Sequence, residues 1–161
     1  MEHKSNTVAE SFRKDIEAIF AQSYAEQRSR AVKRGMEQMV ARGYMPTRPP
    51  LGYSKTKTPG LFAPNEDGMW LKSVMAAYAK DRIDTPGAIR LVSYFLKRKY
   101  NKQPTKKQVR DVFINPYYTG YIFWNGVLYE GRHTALISLE QHWLIHHKLN
   151  QYDLPEKSEG N

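Results

Sequence analysis

No cysteine occurs among the 161 residues of the chain. Its absence excludes disulfides, thiolate metal sites and a cysteine nucleophile together. Long apolar runs are missing too: nothing approaches the ~20 residues that a membrane-crossing helix needs. The stretch from Met1 to Asn6 lacks the apolar core of a secretory leader. The sequence holds no GxSxG, no glycine-rich phosphate cradle and no carboxylate cluster of a metal-dependent nuclease. No catalytic residue is assigned, and a soluble cytoplasmic protein is expected.

Acid is absent from two long stretches. None lies between Glu37 and Glu66, where Arg42, Arg48, Lys55 and Lys57 stand. None lies between Asp84 and Asp111, which enclose Arg90, Lys97, Arg98, Lys99, Lys102, Lys106, Lys107 and Arg110. The chain as a whole carries a formal charge of +9. Cations cleared of carboxylates create a field that attracts a polyanion. They do not sit opposite a broad greasy face on one helix, which argues against a membrane surface.

Proline and glycine divide the chain. Residues 7–43 have no proline and are rich in good helix formers, so one long connecting helix is expected there, behind a disordered 1–6. Its apolar stripe is split. Val8, Phe12, Ile16, Ile19 and Phe20 form one part; Val32, Met36, Met39 and Val40 form another, turned away by roughly 150°. Residues 44–64 hold five of the nine prolines and read as an extended basic linker.

Residues 65–150 read as a compact domain. Asn65 opens a helix to about Lys80, and Thr85-Pro86 opens a second, with Thr85 as its cap. Thr105 and Gln108 form a capping box for a third, which Asn115-Pro116 stops. Asn125-Gly126 between two aromatic and β-branched runs marks a hairpin. Ser138 and Gln141 cap a last helix, and 151–161 is a flexible tail. The fold class is mainly α with a small β-hairpin (α+β): a long N-terminal helix, a basic linker, then a winged helix-turn-helix-like domain, whose third helix commonly enters the DNA major groove.

On that third helix Lys106, Lys107 and Arg110 cluster beside an apolar face, with Lys102, Gln103 and Thr105 at its mouth. Lysine and arginine neutralise phosphates, and Arg and Gln can also read bases. Arg42, Arg48, Lys55, Lys57 and, just past the hairpin, Arg132 complete the candidate DNA-binding set. Tyr117, Tyr118 and Tyr121 are more readily packing residues than base stackers. His142 and His146 stand four apart, but without an HExxH motif or cysteine they read as a surface cluster with His147. No metal and no cofactor is expected.

Four segments carry a family likeness: Tyr24 to Gly35 (YAEQRSRAVKRG), Arg48 to Tyr53 (RPPLGY), Val109 to Gly120 (VRDVFINPYYTG), and His133 to Ser138 (HTALIS) followed by Trp143. In order and spacing they resemble the recombinase domain of large serine site-specific recombinases, the phage integrase and transposon resolvase type. The resemblance implies recognition of an attachment site on double-stranded DNA. It further implies a serine catalytic domain and, in many members, a zinc-binding module, neither of which is found in these residues. No strand cleavage by this chain is then expected. The partners implied are duplex DNA, the catalytic domain and other recombinase subunits, with self-association through the long helix. The alternatives are a free-standing winged-helix regulator and a basic protein-interaction module.

Overall fold

The structure, a computed structural model, describes the backbone of residues 3–152 and the side chains of Ser11 and of residues 13–152. The chain divides into two units, Met1–Gln38 and Met39–Asn161. One helix, α1 (His3–Ala41), accounts for the described part of the first unit and supplies the opening turn of the second. It begins within the stretch expected to be disordered. Gly43 ends it in the left-handed conformation (φ +85), and the Gly43 and Tyr44 amides donate to Val40 O and Met39 O.

The split of the apolar stripe is visible in burial. Ile16, Ile19 and Phe20 are exposed, Phe20 by 71%, while Val40 is fully buried. The side chains of Val8 and Phe12 lie outside the described residues. Val32, expected in the second stripe, is exposed as well.

In the second unit the element order is β1 (Tyr53–Lys55), β2 (Phe62–Pro64), α2 (Glu66–Ala79), α3 (Thr85–Tyr100), α4 (Lys106–Ile114), a 3₁₀ turn (Pro116–Thr119), β3 (Tyr121–Trp124), β4 (Val127–Glu130) and α5 (Leu139–Tyr152). The fold is mainly helical with two small antiparallel hairpins. Helices α2, α3 and α4 followed by β3–β4 give the winged helix-turn-helix order.

Local chemistry explains the boundaries. Asn65 caps α2 by accepting from the Gly68 amide at 3.0 Å. For α3 the cap is Asp84, which accepts from Gly87 N at 2.9 Å, and not Thr85. A carboxylate there also suits the positive end of the helix dipole. Thr85 is instead the first helical residue, and its hydroxyl meets Tyr78 OH at 2.8 Å. The hairpin turns at Asn125 and Gly126, both at positive φ, which pairs Trp124 with Val127 and Phe123 with Leu128. The α5 capping box forms as expected, Ser138 Oγ accepting from Gln141 N at 3.1 Å and Gln141 Oε1 from Ser138 N at 3.0 Å.

The proline-rich stretch 44–64 is extended but is no separate tether. Its strands pair with each other, Ser54 opposite Ala63, and Tyr53 and Phe62 are buried in the core. Composition shows the prolines; the two aromatics that anchor the stretch are the signal it passes over. Helix α5 locks the far side. Lys148 Nζ donates to the last carbonyls of α2, Tyr78 O at 2.9 Å and Ala79 O at 3.1 Å, and pairs with Asp81 at 2.6 Å. A cation over a helix C-terminus both satisfies bare carbonyls and complements the dipole.

One contact admits no side chain at all. A Cβ on Gly68, in the first turn of α2, would stand 2.2 Å from Gly52 O. Gly52 itself holds a φ of +91 and accepts from Asn65 N. We expect Gly68→Ala to destabilise the second unit by about 1–3 kcal/mol, the usual cost of overpacking. Gly35, within α1, is the control, because a methyl added there would meet no atom within 4 Å. There alanine should raise local helix stability by about 0.5–1 kcal/mol. Urea midpoints and helix content by circular dichroism measure both; equal behaviour of the two variants contradicts the packing argument.

Candidate nucleic-acid interface

Helix α4 is held in place by its cap and its inner face. Thr105 Oγ1 accepts from Gln108 N at 3.2 Å, and Gln108 Oε1 accepts from Thr105 N at 2.9 Å. Val109 and Phe113 are buried against the core. This turns Lys106 and Lys107 to solvent at the helix's N-terminal end, whose first turn has no acid. Lys102 and Gln103 are exposed in the preceding turn. Asn101, in the left-handed conformation, ends α3 just before them. Gln103 edges a groove of about 300 Å³ floored by Leu51, Leu96, Pro104 and Val112.

At α4, two residues of the expected set have structural duties. Thr105 is committed to the cap. Arg110 is half-buried, and its Nη2 donates to Asn150 Oδ1 of α5, a partner 40 residues away that no local sequence signal indicates. Lys107 pairs with Asp111 at 3.0 Å, one turn on. Both side chains are largely solvated, so the pair is worth only about 0.3–0.5 kcal/mol and is easily exchanged for another anion.

The remaining candidates lie away from α4. Arg132 Nε donates to Arg42 O at 2.9 Å, its backbone amide donates to Gly43 O at 3.0 Å, and its guanidinium stands 5.3 Å from the Tyr44 ring. It therefore ties the exit of the β3–β4 hairpin to the residues that end α1. Arg42 itself is exposed, as are Arg48, Lys55 and Lys57 in the extended stretch. Among the described residues no hydrogen bond or ion pair joins these four side chains to α4.

Three of the four family-like segments meet in the core instead of at a surface. The Tyr53 ring lies 5.0 Å from Tyr117, 6.2 Å from Tyr118 and 5.8 Å from His133. Tyr117 and His133 stack parallel at 3.5 Å. Tyr53 OH donates to Thr134 O at 2.7 Å, and Tyr118 OH donates to Leu51 O at 2.9 Å. His133 Nε2 donates to Tyr117 O at 2.6 Å, which fixes the proton on that nitrogen and leaves Nδ1 buried without a partner. Of the tyrosines weighed as base stackers, Tyr117 and Tyr118 are core residues. Of the histidines read as a surface cluster, His142 is half-buried, with Nε2 enclosed and unpaired, while His147 stacks on Trp143 at 5.0 Å.

No protein-family model and no curated protein matches the chain. Solved structures that resemble it include two bearing on recombination. One is a complex of a large serine recombinase (LSR) with DNA, at 20% identity and a TM-score of 0.56, covering 75% of this chain and 38% of that one. The other concerns the sequence requirements of the Listeria innocua prophage attP site, at 19% identity and a TM-score of 0.51, covering 71% and 49%. The fold is the one those chains carry. This chain spans less than half of either.

The buried histidine predicts a pH dependence. Burial pushes the His133 imidazole below its ordinary value of 6.5, outweighing an upward pull from its bond to Tyr117 O, and His142 moves the same way. The unfolded chain thus binds these protons first as pH falls. The stability contributed by the neutral rings is complete above the unfolded value and declines from 6.5 downward until the lowered folded value is passed. Urea midpoints measured between about pH 7 and pH 5 should fall, and His133→Asn should flatten that decline. A pH-independent wild-type midpoint contradicts this.

Proposed function

We propose that this chain is the site-recognising DNA-binding part of a serine recombinase, gripping an attachment site in duplex DNA while cleavage is performed by a serine catalytic domain that these residues do not contain. The observation that carries the proposal is α4: a capped helix in the third position of a winged helix-turn-helix, its inner face fixed in the core and Lys106 and Lys107 projecting from an acid-free N-terminal turn. Such a helix enters the major groove by its N-terminal residues. Lys102 and Gln103 accompany it, one suited to phosphate and the other to an adenine edge.

The likeness to an LSR in complex with DNA supports the same reading. So does the order of the family-like segments. In this reading Arg42, Arg48, Lys55 and Lys57 contact the phosphate backbone beside the groove, and Arg132 positions that approach by holding Arg42 O. Other recombinase subunits cover Ile16, Ile19 and Phe20, exposed apolar residues that favour association.

Gel-shift titration against duplexes retained from a random pool tests the proposal. Lys106→Ala with Lys107→Ala should weaken binding by about 1–3 kcal/mol at a base-reading position, or uniformly across sequences at a phosphate-contacting one. The urea midpoint should stay unchanged, since both side chains are exposed. Supercoiled plasmid should not be relaxed by the chain alone. Wild-type affinity in the double variant would falsify the assignment of α4.

A further inference from the structure

Helix α3 has a second face that the reading above leaves without a role. Ala88, Val92 and Leu96 are its buried residues, spaced four apart on one side. Two positions along an α-helix is a rotation of about 200°, so Arg90 and Tyr94 stand directly opposite that stripe, with Lys97 and Arg98 completing the outer face. All four are exposed, Tyr94 by 66%. Among the described residues Arg90, Lys97 and Arg98 make no ion pair and no side-chain hydrogen bond. Lys99, by contrast, is held by Asp67 and lies over the Phe95 ring.

The helix dipole explains part of this pattern and not the rest. Lys97 and Arg98 fall in the last turn, where cations are favoured. Arg90 sits in the N-terminal half, where the dipole offers it nothing. Its charge has no local use.

We propose that the outer face of α3 is a second duplex-contact surface, holding phosphates with Arg90, Lys97 and Arg98 and with the Tyr94 hydroxyl. Charge density selects the partner. From Arg90 to Arg98 the helix advances about 12 Å. The same length of duplex axis carries about seven negative charges. A membrane would need the apolar side of the helix, which is buried in the core. An acidic protein surface is the rival, and it offers no comparable continuous line of charge. The contacts are to phosphate, so this face adds affinity and orientation without reading sequence. The inference rests on the DNA-binding reading and extends it to an element outside α4.

The test is a salt titration of binding to a short random-sequence duplex, with poly-glutamate as a second probe. Each lost phosphate contact should make the plot of log affinity against log salt shallower by about 0.9. Arg90→Ala with Arg98→Ala should therefore reduce the slope by about 1.8 and weaken low-salt binding tenfold or more, with the urea midpoint unchanged. Arg90→Lys with Arg98→Lys should keep the wild-type slope. An unchanged slope in the alanine variant, while Lys106→Ala with Lys107→Ala does lower it, overturns this surface and leaves the α4 reading standing. Loss of poly-glutamate binding with an intact DNA slope overturns it in favour of an acidic protein. A wild-type chain without salt-dependent duplex binding overturns both readings.

Discussion

The parallel stack of Tyr117 on His133, with Tyr53 set edge-on against both rings, is the contact on which the second unit depends. It joins three segments that have little regular structure of their own: the start of the short strand β1, the 3₁₀ turn after α4, and the loop before α5. Each buried aromatic is worth about 1.5–3 kcal/mol by area. The polar ends of these rings add geometry to that gain. Tyr53 OH, Tyr118 OH and His133 Nε2 each donate to a backbone carbonyl of a different segment. Carbonyls in loops are the groups least able to find partners when buried. The cluster thus stabilises the loops by burial and satisfies them at once.

That arrangement determines where α4 can stand. The turn that ends α4 is pinned by Asn115 Oδ1, which accepts from Tyr117 N at 3.0 Å, and by Tyr118 O, which accepts from Leu136 N and Ile137 N. With Val109 and Phe113 buried and Arg110 tied to Asn150, one side of the helix is fully engaged. The side bearing Lys106 and Lys107 is the one left to solvent. The contacts proposed for α4 need this kind of support, because loose placement degrades every directional contact a helix makes.

The legible parts of the sequence are those governed by short-range chemistry. The Thr105 and Ser138 capping boxes, the Asn115-Pro116 stop and the Asn125-Gly126 hairpin each stand within four residues of their cause. At the start of α3, Pro86 points to Thr85 as the cap; proline is tolerated at either first-turn position, and the Asp84 bond to Gly87 N shows the cap to be one residue earlier. Long-range partners are not legible. Nothing near Arg110 announces Asn150, and nothing near Tyr53 announces Thr134, 81 residues on. The same limit explains the reading of 44–64 as a linker. Proline correctly marks it as extended, but burial of Tyr53 and Phe62 is a tertiary property. Three of the four family-like segments encode the core itself.

The placement of acid sharpens the electrostatic argument. In the second unit Asp67 pairs with Lys99, Asp81 with Lys148 and Asp111 with Lys107. Asp84 caps α3, and Glu66 lies in the first turn of α2. These carboxylates act on helix ends or on lysines that brace one element against another, with only the Lys107 pair on the outer side of α4. Lys148 illustrates the bracing: it is mostly buried, and its charge is absorbed by two carbonyls and Asp81. Cations bound in this way add little to the external field. The field therefore arises from exposed cations with no such duty, among them Lys102 and Lys106 around α4, Arg90, Lys97 and Arg98 on α3, and Arg42, Arg48, Lys55 and Lys57 in the extended stretch and its approach. Solvent-exposed charges of this kind are screened beyond about 8 Å at physiological ionic strength. Their attraction acts at the approach and in contact, and on the proposed reading it leaves the choice of sequence to the few side chains of α4 directed at the groove.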